Sequence, residues 1–286
     1  MLEKEMITDP VRWQLILEVA DDALQVVIFS PYAQHAMIYE RIELGEPGKT
    51  PLQRLENAIY DNPLLLSDFG AVTALIDTQR FLPIPDILAE MGQECVEATF
   101  RRAIPGTGAG TSVMVSPLSA MPMAVAFEVN NDVMNFLRRT FPGVKICHTT
   151  VPVCNYFRAK NRLRGYGKMM VNLGHGRLDV VVLGESAPLL VNSYRFREPM
   201  DAVYYIMAVR QKLSLAETDE IIVGGDRMLR AQVTPVLRRY VRYVMPAIFP
   251  TVMFQAGRAS LVAPFEMVLA PITAEPSRHA AANVEN

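Results

Sequence analysis

The chain has 286 residues, half of them hydrophobic and a fifth charged, which excludes a disordered segment and allows a substantial core. Its 28 basic and 30 acidic residues leave a formal net charge of −2, so no global positive field gathers nucleic acid or polyphosphate. The length points to two domains.

Met1 to Met6 is charged and leads into no apolar run, unlike a secretory leader. We expect 1–12 to be an N-terminal extension. Gln14 to Val19, a turn at Asp21-Asp22 and Leu24 to Phe29 predict a β-hairpin with an acidic tip, and Met37 to Leu44 a third strand. A helix capped near Thr50 is expected over Pro51 to Tyr60, then a buried strand over Ala71 to Asp77. Pro83-Ile84-Pro85 predicts a turn or the first turn of a helix, and Glu90 to Arg102 a helix. The glycine-rich stretch 105–111 lacks the Gly-Lys-[Ser/Thr] ending of a phosphate loop and opens a strand, so it reads as a hairpin connection. Strands at 112–116 and 123–129 lead to a helix capped by Asn130 or Asn131 that buries Val133, Met134, Leu137 and Phe141. A strand over Val144 to His148 and a helix over Val151 to Ala159 close the first half.

The basic, glycine-containing stretch from Arg158 to Gly167 reads as a linker, with 161–167 as its body. The pattern then restarts with strands at 168–173, 178–184 and 188–196, a helix at 199–213, a strand at 220–223 and a helix at 226–244. Apolar pieces follow around Val252 and Phe265, and 271–286 is expected to be a disordered tail. The uncharged stretches 103–127 and 243–257 are broken by prolines and do not suit membrane spans. Three cysteines without a C-x-x-C pair suit a reducing cytoplasm, and no metal-ligand spacing is present. Four histidines without characteristic spacing support no catalytic assignment.

Met169 to Gly174, a Gly-x-Gly turn, Arg177 to Leu183, and then Glu220 to Asp226 around Gly224-Gly225 resemble the second domain of the actin, sugar-kinase and heat-shock-70 superfamily. With Asn192 to Phe196, Ala202 to Ile206, Arg80 to Pro85 and Ala263 to Glu266, residues 13–270 resemble the DUF 3822 family, a bacterial domain of unknown function found mostly in Bacteroidetes. The resemblance implies an α/β fold of two duplicated ribonuclease H-like (actin-like ATPase) domains, with mixed sheets and a cleft between them, at 13–160 and 168–270. It brings no assigned activity.

In the register of the superfamily's first phosphate loop stand Glu18, Val19, Ala20, Asp21 and Asp22, with Ala20 for a glycine and two carboxylates for hydroxyl donors. Like charges there oppose a triphosphate. In the second loop Gly174, Gly176 and Asp179 keep family-like places, while Asn172 stands for an aspartate and His175 and Arg177 for small residues. Arg177 can pair with a phosphate or with Asp179 across the turn. Gly224-Gly225 either lets an adenosine lie against the backbone or makes a tight strand-to-helix turn with Asp226 as N-cap.

The helix after it sets Leu229, Val233, Val236, Leu237, Tyr240, Val241 and Val244 on one face and Arg227, Arg230, Arg238, Arg239 and Arg242 off it. The primary expectation is a non-catalytic binding or scaffold protein with a protein partner, no membrane and no cofactor. One alternative is a nucleotide-binding switch that holds ATP or ADP with magnesium weakly, through Asn172, Gly174, Gly176, Asp179, Gly224 and Gly225. The other is an RNA- or RNP-associated module using the arginine helix, against which the charge balance argues. The sequence names no partner or oligomeric state.

Overall fold

A computed structural model describes residues 7–30, 32, 37–45, 48–106, 108–119, 121–164, 169–174, 176–184, 187–254 and 256–273, with the backbone alone at 161–164 and 254. The first sheet is built from β1 (Gln14–Val19), β2 (Ala23–Phe29), β3 (Met37–Glu43), β4 (Ala71–Ile76) and β8 (Lys145–His148), in the order β3-β2-β1-β4-β8. β1, β2 and β3 form an antiparallel meander, and β4 and β8 add in parallel. All seven residues of β2 are buried, so both its faces are covered. Edge strand β3 instead leaves Arg41 and Glu43 toward solvent.

The second sheet repeats this plan with β9 (Met169–Gly174), β10 (Arg177–Leu183), β11 (Pro188–Arg195), β12 (Ile221–Gly225) and β13 (Val244–Pro246), in the order β11-β10-β9-β12-β13. Again a meander is followed by two parallel strands. The first half also carries a small antiparallel sheet of β5 (Phe81–Pro85), β7 (Met123–Asn130) and β6 (Thr111–Pro117), with β7 central. Helix α2 (Asp86–Glu90) leads to α3 (Gln93–Ala103), whose Val96 and Phe100 pack on Ile84, Val113, Ala124 and Ala126 of that sheet.

Helices α1 (Pro51–Tyr60) and α4 (Asn131–Thr140) belong to the first lobe. Thr50 and Gln53 cap α1 reciprocally, and the side chain of Asn130 accepts from the backbone N–H groups of Asp132 and Val133 to cap α4. Phe136 joins Val133 and Leu137 in the buried face of α4. Helices α6 (Pro199–Lys212) and α7 (Arg227–Leu237) cover the second sheet, with Val203, Ile206, Val233 and Leu237 in its core. Between the two sheets lie α5 (Thr150–Arg164) and α10 (Phe265–Thr273); α10 touches β1, β2, β12 and α5, and residues 265–270 are all buried.

Several elements depart from the sequence expectation. Pro83 and Pro85 lie in strand β5 rather than a turn; β5 is an edge, where a missing N–H leaves no inner ladder bond unmade. The helix expected from Glu90 starts at Gln93, after Gly92 at φ +99°. The stretch 158–164, read as linker, is the end of α5, and 165–168 lie outside the described residues. The helix expected to reach 244 ends at Leu237, leaving Tyr240 exposed and Val244 at the start of β13. The C-terminal apolar pieces form α8 (Thr251–Phe254), α9 (Ala259–Val262) and α10. Residues 271–273, read as tail, close α10, and 274–286 lie outside the described residues. Among the described residues no helix is long and apolar enough to cross a membrane.

Candidate functional site in the interlobe cleft

A single guanidinium stands at the centre of the cleft. Arg177 opens β10 directly after the Gly174–Gly176 turn, where Gly176 takes φ +66° and so supplies the left-handed residue the tight hairpin requires. Its side chain reaches across to the other lobe. Nη1 lies 2.9 Å from Asp77 Oδ1 and 3.8 Å from Glu18 Oε1, Nε lies 3.3 Å from Asp179 Oδ1, and Nη2 donates to Glu266 Oε1. Glu18 comes from β1, Asp77 follows β4, Asp179 is in β10 and Glu266 in α10, so four elements contribute carboxyl groups around one arginine. The side chains of the arginine and of all four acids are at most 7% exposed.

The remaining polar atoms are arranged around this centre. Asn172 Nδ2 donates to Asp179 Oδ2 at 3.2 Å and to Glu266 Oε2 at 2.9 Å. Ser193 Oγ donates to Asp179 Oδ1 at 2.8 Å and accepts from Gln79 Nε2 at 3.2 Å. Gln25 Nε2 donates to Glu18 Oε1 at 3.0 Å, and Tyr39 donates to Gln25 Oε1 at 2.8 Å. Arg195 adds a second cation at Asp77, 3.3 Å away, from the end of β11.

Burial lowers the proton affinity of Arg177, but Asp179, Glu266, Asp77 and Glu18 outweigh it and hold the guanidinium charged, well above its ordinary range. Burial raises Asp77, yet Arg177 and Arg195 prevail and keep its carboxyl below the usual range. Glu18 goes the other way: burial and the neighbouring Glu266 push it well above an ordinary glutamate, against the pull of Arg177. Glu18 Oε2 has no hydrogen-bond partner among the described residues.

The residues singled out from the sequence separate into groups. Asn172 and Asp179 enter the buried network. Gly174 and Gly225 line a cleft cavity of about 570 Å³ together with Glu18, Asp77, Arg177 and Glu266. Gly176 shapes the hairpin turn, and His175 lies outside the described residues. Gly224 is covered: a Cβ there would meet Phe265 ring carbons at 3.1 and 3.2 Å. Gly225 takes φ +93°, and a Cβ there would fall 2.3 Å from the Leu173 carbonyl oxygen, so the close crossing of β12 and β9 requires glycine. Asp226 caps α7 by accepting from the Leu229 N–H at 2.8 Å.

At the first loop, Asp22 pairs with Arg41 at 2.9 Å across the β2–β3 edge, and Ala20 donates to the Ala23 carbonyl. Arg177 does pair with Asp179, one of the two options the sequence left open, but as one contact of four. Sequence reasoning gave Asp77 and Glu266 no part in the site. Glu266 carried a signal, as the one charged residue of the α10 sequence. The arginine helix is interrupted: Arg230 Nε donates to the Gly225 carbonyl, Arg238 Nη2 to the Val244 carbonyl, and Arg239 and Arg242 lie beyond α7.

A nucleotide with magnesium fits this donor set poorly. A hydrated divalent ion needs carboxyl oxygens free to receive it. Here one oxygen of each of Glu18, Asp77, Asp179 and Glu266 faces the Arg177 guanidinium, Asn172 donates to the second oxygens of Asp179 and Glu266, and the Phe265 ring lies over Gly224.

Comparison with known proteins agrees with the two-lobed plan. A family model described as "Protein of unknown function (DUF3822)" matches residues 5–244. A crystal structure from Bacteroides thetaiotaomicron, described as a protein with actin-like ATPase fold and unknown function, superposes with a TM-score of 0.71 at 20% identity, covering 86% of this chain and 93% of that one. A structure described as the PilM-PilN type IV pilus biogenesis complex gives a TM-score of 0.55 at 16% identity, covering 94% of this chain and 100% of the other. No curated protein matches the chain in sequence. At these identities the likeness shows the fold, which is actin-like and two-domained.

Proposed function

The chain belongs to the DUF3822 family, and from that premise we propose that it is a non-catalytic binding or scaffold protein, an actin-like fold without ATPase chemistry. The observation that carries this reading is Arg177, which stands among Glu18, Asp77, Asp179 and Glu266 as an internal cation. Hydrolysis of a triphosphate needs phosphates held by preorganised donors, a metal ion and a positioned water. The acids that could direct a metal are spent on the guanidinium. Opening the cleft would also pull Arg177 away from Glu18 and Asp77 on the other lobe, leaving buried charges uncompensated. The network therefore favours one closed arrangement over a nucleotide-driven cycle.

Use of this fold for partner binding is supported by the similar structure described as a pilus biogenesis complex. The three thiols are free, Cys147 and Cys154 being buried, which favours a reducing compartment such as the cytoplasm. A weak nucleotide-binding switch is the second reading, favoured by Gly174 and Gly225 lining the cleft cavity.

Phosphate release from magnesium-ATP by the purified protein tests the proposal. The expected result is no turnover approaching ~1 per second, the lower end of the usual enzyme range. Turnover of that size, lost in Glu18→Gln, would show a working ATPase. A thermal-shift series with ATP, ADP and AMP separates the two readings, since a ligand that binds the folded state raises its stability by mass action. No shift is expected with magnesium-ATP.

A further inference from the structure

A second cavity, of about 430 Å³, opens on the first lobe. β1 and β4 run side by side in parallel, with Val19 opposite Ile76, and their carboxyl ends lead into it. α1 closes one side through Pro51 and Arg54, and the end of β7 with the start of α4 closes another through Val129 and Val133. Ligands of open α/β sheets bind in the crevice outside the carboxyl ends of parallel strands. The volume falls in the range that holds a small molecule. Val19 and Ala20 are half-buried and Pro51 is exposed, so apolar surface is open to the cavity. Ala20, Asp21, Asp77 and Arg195 also line the interlobe cavity, whereas Arg54 does not.

Charge in this lining is sorted by depth. The side chains of Asp77 and Glu128 are only 7% and 6% exposed, and they are held by Arg195 and Arg80. Those two arginines keep 47% and 36% of their side chains exposed, so each pair shows solvent its guanidinium and not its carboxylate. Arg54 is the third cation. Its Nη1 donates to the Asp21 carbonyl at 2.9 Å and to the Leu44 carbonyl at 3.3 Å, and it has no ion-pair partner among the described residues. Backbone carbonyls fix the guanidinium in place without neutralising its charge. One exposed acid, Asp21, stands against the three arginines. A fixed arginine beside apolar surface suits a carboxylate with an alkyl body, since the planar fork meets two carboxyl oxygens at once.

We propose that this cavity binds an organic monoanion with an aliphatic body, a medium-chain carboxylate in chemical class. Arg54 meets the carboxylate, Arg80 and Arg195 add positive field, and the chain lies against Val19, Ala20 and Pro51. Head and chain are both needed: the charge gives orientation, and burial of the methylene groups gives the larger share of the affinity. The site goes beyond the reading of the Arg177 network, and its occupancy does not depend on whether the protein turns over ATP.

Calorimetric titration of the full chain with octanoate tests it. Saturable binding is expected, weakened at least tenfold in Arg54→Gln and unchanged in Arg239→Gln, which alters an exposed arginine beyond α7. Octylammonium, of the same chain length and opposite charge, is expected to bind at least tenfold more weakly than octanoate. Butanoate, with the same head and a shorter chain, is expected to lose at least as much. A melting curve shows whether Arg54→Gln folds; if it does not, the comparison of ligands on the unaltered chain decides. No binding up to ~1 mM octanoate, undiminished binding by folded Arg54→Gln, an equal loss in Arg239→Gln, or equal affinity for octylammonium or butanoate would each overturn the proposal. Those results leave the absence of ATP turnover untouched.

Discussion

Arg177 is the residue on which the cleft depends, and its removal should be felt far more than that of a surface arginine. Truncating one member of a buried ionic network leaves its partners uncompensated, which costs about 3–5 kcal/mol. Arg177→Met should therefore lose stability of that size in urea denaturation at neutral pH, and recover part of it in acid as protonation relieves the repulsion. Arg177→Lys should restore little, because one ammonium cannot present the planar fork that reaches four carboxyl groups. The two titrating acids pull stability in opposite directions. Glu18, raised in the folded state, contributes stability that is present below its ordinary value and lost as pH rises through the folded one. Asp77, lowered, contributes stability that is present above its ordinary value and lost as pH falls through the folded one. His148 gives a clearer window. Its Nδ1 accepts from the Thr150 N–H at 3.2 Å, and its Nε2 donates to the Thr78 carbonyl at 2.9 Å, so the buried ring is the neutral Nε2–H tautomer. Burial pushes it from 6.5 down to about 4. Between those values the unfolded chain takes a proton that the folded chain refuses, so stability falls with acid. The expected loss from about pH 7 to pH 5 is about 2 kcal/mol, read by urea denaturation and absent in His148→Gln.

Helix α7 is the element where the sequence pattern ran past the structure. Leu229, Val233, Val236 and Leu237 follow helical spacing, and Tyr240, Val241 and Val244 continue it by coincidence of position. The chain turns at Arg238, and Val244 enters β13 beside β12. A three-residue strand is too short to announce itself by alternation. Within the helix the periodic reading holds: Leu237 is fully buried. Leu237→Ala should cost about 2–5 kcal/mol, measured by denaturant unfolding. Arg239→Ala, at an exposed position beyond the helix, should be near neutral by the same measure. The meander strands were legible because long apolar runs bounded by Gly or Asp leave few alternatives. Strand β5 was not, since Pro83 and Pro85 argue against ladder pairing until their place on an edge is known. The charged network was the least legible part, because residues 18, 77, 177 and 266 have no local relation. Only the Arg177 and Asp179 pair lies within one strand, and it was the one contact the sequence raised.

At the scale of the molecule, two sheets of one topology face each other across α5 and α10, and the polar clasp of Arg177 sits at the cleft side of that layer. Most of the fold is duplicated, but this layer is not: α10 serves both halves at once. It touches β1 and β2 from the first sheet and β12 from the second, with Phe265 and Met267 through Ala270 buried alongside Glu266. This has a consequence for synthesis. A ribosome makes every strand of both sheets before it makes residue 265, so a nascent chain carries two finished strand sets whose facing surfaces still lack their shared cover. The first lobe cannot wait as a completed unit for the second, as domains emerging in series commonly do. Closure of the contact between the beginning of the chain and α10 comes last. Until then, the apolar faces of β1, β2 and β12 are what a chaperone or a neighbouring nascent chain would meet.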